Sequence, residues 1–348
     1  MDKAAPQNAL LRVVADLFPG YFALVMATGI ISIACFLLEM KTLAIVLLVI
    51  DIVAYLILCV LLLLRLLFFF SRVKTDINDH VRGPGFFTVV AGTCVLGSAL
   101  LIVAGRSYPA MVLWIAGVSL WIVIMYTFFT AVTVRENKPS IEAGLNGGWL
   151  LVVVATQSIS VLGTLLISRL VDYHEPILFF TLCMFLLGCM LYLPLITLIF
   201  YRFTFVNVTM ASLTPPYWIN MGAVAITTLA GARLIIAAPG WPLLNELVPF
   251  LKGFTLFFWA AATWWIPLLL ALGFWRHAYK RFPLKYDPQY WGMVFPFGMY
   301  TVCTFQLSYA INFPRLLVIP RYFIYLALAG WLATLVGLLG SMARTLRK

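Results

Sequence analysis

Charge is what this sequence has least of. Asp, Glu, Lys and Arg make up 10% of its 348 residues, where a soluble domain carries about a quarter. Apolar residues make up 64%, and the mean hydropathy is +1.05. That composition excludes a soluble enzyme, a secreted disulfide scaffold and a disordered chain. Signatures of chemistry are missing as well. There is no Gly-x-x-x-x-Gly-Lys-Ser/Thr loop for ATP. Asp76-Ile-Asn-Asp79 is too sparse for the metal–diphosphate site of an intramembrane prenyltransferase, and no zinc, haem or nucleophile constellation occurs. The six cysteines, Cys35, Cys59, Cys94, Cys183, Cys189 and Cys303, lie in apolar stretches without ligand spacing. They read as small core hydrophobes. His80, His174 and His277 are isolated in or beside loops and read as solvated. The expectation is a non-enzyme with no cofactor and no bound metal.

What is present is a succession of long apolar runs. At about 20 residues per bilayer crossing, they read as ten spans. These are Phe18–Leu38, Thr42–Leu67, Phe86–Val103, Met111–Val132, Gly147–Ser168, Pro176–Phe200, Pro215–Ile236, Leu247–Phe274, Trp291–Asn312 and Tyr322–Leu339. Continuous runs are the mark of helices, because membrane strands alternate. The expected fold is therefore all-α and polytopic, with no removable signal peptide and little outside the lipid. The net charge of +11 then reports orientation rather than nucleic-acid binding. With the N-terminus inside, the outer segments hold seven basic residues: Lys41, Arg106, Arg169, Arg233, Lys252, Arg315 and Arg321. The other 16 of the 23, among them Lys3, Arg347 and Lys348, fall inside. Such a positive-inside bias places both termini in the cytoplasm of a multi-pass plasma (inner) membrane protein, prokaryotic in type.

Every odd-numbered span opens on a Gly/Pro element followed by an aromatic residue. The openings are Phe18-Pro19-Gly20-Tyr21-Phe22, Gly83-Pro84-Gly85-Phe86-Phe87, Asn146-Gly147-Gly148-Trp149, Pro215-Pro216-Tyr217-Trp218 and Pro288-Gln289-Tyr290-Trp291. With Phe22, Phe87, Trp149, Trp218 and Trp291 as equivalents, one transmembrane domain (1–348) divides into five helical hairpins, about 13–75, 76–138, 139–208, 209–281 and 282–348. The odd helices run parallel and form an inner ring around a central pore. Five helices at about 10 Å spacing leave a lumen of roughly 3–4 Å radius. The residues expected to line it are Thr28, Gly29, Ala91, Thr93, Val153, Thr156, Gln157, Gly222, Ala225 and Thr228. Small residues there also serve close helix packing. Four positions after the aligned aromatic come Met26, Ala91, Val153, Gly222 and Phe295. The single aromatic in that series is either a gate or a packing residue. Pro296 follows it and removes a backbone donor.

These openings, and Tyr290-Trp291-Gly-Met-Val-Phe295-Pro296 above all, resemble the tellurite-resistance/dicarboxylate transporter family. That family includes plant slow-type anion channels, fungal malate transporters and bacterial tellurite-resistance homologues. The resemblance covers essentially the whole chain. It implies a homotrimer with a pore through each protomer, and it makes Phe295, with Pro296, the gate. The function implied is an anion channel, or a passive or secondary transporter, for small inorganic anions or C4-dicarboxylates such as malate.

Anion preference has two readable sources: helix N-termini at the cytoplasmic mouth and the basic residues there, Arg82, Arg135, Lys138 and Arg276 with its neighbours. Arg233 reads as an outer-mouth or snorkelling arginine. Asp51, mid-way along the second span, is a candidate proton carrier or a structural carboxyl. It leaves a proton-coupled C4-dicarboxylate or tellurite-related carrier as the alternative function. An intramembrane enzyme or a non-conducting scaffold is the distant one. The partners expected are lipid, small anions and copies of the chain itself, with no nucleic acid.

Overall fold

The structure, a computed structural model, describes residues 9–346. Lys3, Arg347 and Lys348 lie outside the described residues. Among those described, every regular element is helical. Ten long helices carry the fold: α1 (Ala23–Leu37), α2 (Lys41–Phe68), α3 (Phe87–Ala104), α4 (Ser107–Val134), α5 (Leu151–Leu166), α6 (His174–Phe205), α7 (Ile219–Ala237), α8 (Val248–Phe274), α9 (Trp291–Ala310) and α10 (Val318–Leu346). Nine helices among the described residues are long and apolar enough to cross a membrane. The remaining long helix, α9, is diluted by Pro296, Tyr300, Thr301, Thr304, Gln306 and Ser308.

Helices α1, α3, α5, α7 and α9 pack each against the next, and α9 returns to α1. The result is a closed ring. Each ring helix also packs against the long helix that follows it, so α2, α4, α6, α8 and α10 flank the ring. The short turns that open the ring helices, Pro19–Phe22, Gly83–Phe86, Gly147–Leu150, Pro215–Trp218 and Pro288–Tyr290, touch one another in the same cyclic order. All five N-termini therefore meet at one end, and the ring helices are parallel. Proline starts four of these turns within their first two positions, where its missing N–H costs nothing. The third has none and uses Asn146, whose side chain accepts from the Gly148 N–H at 2.7 Å.

The third turn shifts the repeat register by one. Leu150 stands six positions before Thr156, as Phe22 and Phe87 stand six before Thr28 and Thr93, and all three hydroxyls bond flanking helices, so Leu150 and not Trp149 is the equivalent residue. The position aligned with Phe295 is then Val154, which corrects Val153. The cysteines divide: Cys35, Cys94, Cys189 and Cys303 are buried, Cys59 is half-buried, and Cys183 is exposed on a flanking helix.

Candidate functional site

Two cavities lie inside the ring, and all five ring helices or their opening turns line both. The larger, about 370 Å³, sits among the opening turns and is bounded by Gly20, Gly85, Gly148, Pro216 and Gln289, with Arg82, Asn146 and Asp287 as its polar rim. Five helix N-termini face it, and these are the positive dipole ends. The second cavity is deeper and only about 20 Å³, room for one water molecule. Branched side chains fill most of that level: Ile30 and Ile33 of α1, Val95 of α3, Val161 of α5, Leu229 of α7 and Val302 of α9. They are the reason an open lumen of 3–4 Å radius is not found there.

Phe295 lies between the two cavities. On α9, Gly292 lines the larger one and Met299 the smaller, seven residues on. Helical periodicity puts Phe295 and Pro296 on that same face. Phe295 is fully buried. A Cβ built on Gly222 would stand 3.5 Å from its ring and 2.8 Å from Cγ of Pro296. Gly222 on α7 is thus the space that admits the Phe-Pro pair. Ala91 lies at this level of α3, between the lining residues Thr88 and Val95, and is fully buried.

The hydroxyls and the amide expected at the lumen turn the other way. Thr28 accepts from Trp331 Nε1 at 2.9 Å, Thr93 shares a 3.0 Å hydrogen bond with Tyr55, and Thr156 accepts from Trp121 Nε1 at 2.9 Å. Gln157 donates to the Phe185 carbonyl at 3.0 Å. Each partner stands on a flanking helix. The three threonines sit nine positions after Pro19, Pro84 and Gly147 respectively, so one contact recurs in three units and joins α10 back to α1. Trp259 to Thr304, at 3.0 Å, adds a fourth bond of this kind. Thr228 donates to its own helix at Val224, and Ala225 lines neither cavity. Gly29 faces outward: a Cβ there would stand 2.6 Å from Oδ2 of Asp51. The polar groups that do line the smaller cavity are Ser98, Ser158, Gln306 and Arg233. Both serines and Gln306 escaped notice because nothing in their local sequence marks the lumen side.

Residues 16–339 match the family described as SLAC1, voltage-dependent anion channel. The chain belongs to that family. An uncharacterized membrane protein of Mycobacterium tuberculosis is 38% identical over 156 residues, which are 45% of this chain and 79% of that protein. Two uncharacterized transporters of Methanocaldococcus jannaschii are 24% and 22% identical, over 86% and 91% of this chain and 86% and 92% of their own lengths. The SLAC1 match and these names point to anion transport across a membrane, and to transporters or channels rather than enzymes.

The charges of this SLAC1-type chain are distributed differently from the mouth cluster expected. Arg82 alone of the four lines the larger cavity. It grips Asp76 through Nε at 2.7 Å, and Arg65 holds the same carboxylate at 2.6 Å. Phe18 lies under the Arg82 guanidinium. Arg135 donates to the Asn78 carbonyl instead. Arg276 is stacked over Phe282 in a separate cavity shared with Tyr290. His80 sits against Trp149 and is not fully solvated; burial, then Arg135, pushes its imidazole pKa down. Asp51 is completely buried behind Gly29, and neither carboxyl oxygen has a hydrogen-bond partner.

Proposed function

We propose that the chain is a gated anion conduit: a channel, or a passive or secondary transporter, for small inorganic anions or C4-dicarboxylates such as malate. In this reading ten helices cross the membrane as five hairpins, with the ring helices around the conduit and both termini in the cytoplasm. The protomers assemble as homotrimers in the plasma membrane. The observation that carries the proposal is that Phe295 is fully buried on α9 between Gly292, which lines the wide cavity, and Met299, which lines the narrow one. A phenyl ring there blocks by volume and by dewetting. The wide cavity faces the cytoplasm, and its converging N-termini and Arg82 concentrate anions at the entrance. An apolar path beyond it holds an ion weakly, which suits flux.

Proteoliposomes loaded with chloride, nitrate or malate test this. Phe295→Ala is expected to raise anion efflux several-fold over the wild type. An unchanged or lower flux from a folded, correctly inserted variant overturns the gate.

Asp51 supports a second reading, a proton-coupled carrier of dicarboxylates or tellurite-related anions. Its unpartnered carboxyl lies one helix away from the axis, behind Gly29. Under that reading, uptake follows the pH gradient and Asp51→Asn abolishes the dependence. Gradient-independent flux in both proteins leaves Asp51 a structural group.

A further inference from the structure

Arg233 is the single charged residue on the five ring helices. It lines the narrow cavity, whose other walls are mostly apolar. Its Nε is shielded from solvent and has no hydrogen-bond partner. None of the ion pairs among the described residues involves it. An arginine in such surroundings is costly unless something supplies the negative charge. Gln306 is its natural companion. Arg233 follows Gly222 by eleven positions on α7, and Gln306 follows Phe295 by eleven on α9. Gly222 and Phe295 face each other across neighbouring parallel helices, so Arg233 and Gln306 lie at one depth, about 16 Å beyond the phenylalanine. Both line the cavity. The two serines of that cavity spend their protons on their own helices, Ser98 on the Cys94 carbonyl and Ser158 on that of Ala155. The donors left for a guest are the guanidinium and the Gln306 amide.

We propose that Arg233 and Gln306 form an anion-recognition station on the far side of the constriction, holding one halide-sized anion in the cavity as it stands and a nitrate or carboxylate group once it widens, and excluding cations. This rests on the conduit reading above. The two stations divide the labour: Phe295 decides whether anything passes, and Arg233 decides the sign of what passes. Guanidinium and carboxamide donors suit halide, nitrate and carboxylate alike. A single cation holds its guest loosely enough to release it.

Two measurements test the station separately from the gate. The first is the reversal potential in a potassium chloride gradient, recorded in the Phe295→Ala background. Adding Arg233→Gln is expected to lower the chloride-to-potassium permeability ratio by about tenfold, and Arg233→Lys to preserve it. An unchanged ratio with Arg233→Gln overturns the station while leaving the conduit intact, and assigns Arg233 to the interface or to the C-terminal dipole of α7. The second measurement needs no flux, so it still decides if Phe295→Ala is silent and the conduit reading falls. Full-length protein in detergent is melted in sodium nitrate or in sodium gluconate at equal ionic strength. Nitrate is expected to raise the melting temperature of the wild type and not that of Arg233→Gln. An equal rise in both proteins, or none in the wild type, overturns the station.

Discussion

The ring helices and the flanking helices are built from much the same apolar residues, yet they live in opposite surroundings. The most apolar stretch of four ring elements is 78 to 94% buried, and that of the five flanking elements 22 to 39%. The ring helices are also shorter, 15 to 20 residues against 27 to 32. At 1.5 Å per residue they rise roughly 22–30 Å, about the thickness of the hydrocarbon core. The flanking helices stand in lipid and need only apolar bulk. The ring helices must fit neighbours on every side, so Gly29 and Gly222 admit Asp51 and Phe295, and the threonines reach outward for indole and phenol partners. Hydrophobicity separates neither set from the other; packing does.

Substitutions that sharpen this contrast differ in expected size. The largest effect belongs where the two layers are tied together. Asp76→Asn leaves Arg65, whose side chain is 2% exposed, without its carboxylate. The loss is expected at about 3–5 kcal/mol in detergent denaturation; less than about 1 would mean that Arg82 and Arg65 are held by other contacts. Next comes Thr156→Val, which keeps the shape but strands Trp121 Nε1 in a buried site. About 1–3 kcal/mol is expected. Thr228→Val provides the control, because that hydroxyl bonds only its own helix; a loss below about 1 kcal/mol is expected. Equal losses at the two threonines would erase the distinction between bonds that join layers and bonds that do not. The smallest effect is Leu56→Ala, on a flanking helix with its side chain 58% exposed. A change within about 0.5 kcal/mol is expected for the separate protomer. A larger one in the native membrane, read as a loss of assembly, would locate an interface between copies on that face.

Much of the architecture is legible in the sequence. Long apolar runs demand helices because lipid satisfies no backbone group, and the Gly/Pro-aromatic openings mark where ring helices begin. The side chains were harder to orient. Thr28, Thr93, Thr156 and Gln157 look like donors to a conduit, since a polar residue in an apolar span must have a partner. The other kind of partner, an indole, phenol or carbonyl group on a flanking helix, lies far away in sequence: Trp331 is 303 positions from Thr28. Trp149 takes the aligned place in the sequence pattern because Leu150, at the structural position, is not aromatic.

By itself the sequence determined that this chain is an all-helical membrane protein of the anion-channel family, repetitive in its turns and sparing with charge. Those properties reside in composition and local order. Only the tertiary structure decided which face of each ring helix looks inward, and so put Arg233 into a cavity inside the ring and turned Thr28, Thr93 and Thr156 toward the flanking helices. A helix buried all round is apolar all round and has no amphipathic stripe to report its rotation. That angle is set by the fit of five neighbours at once.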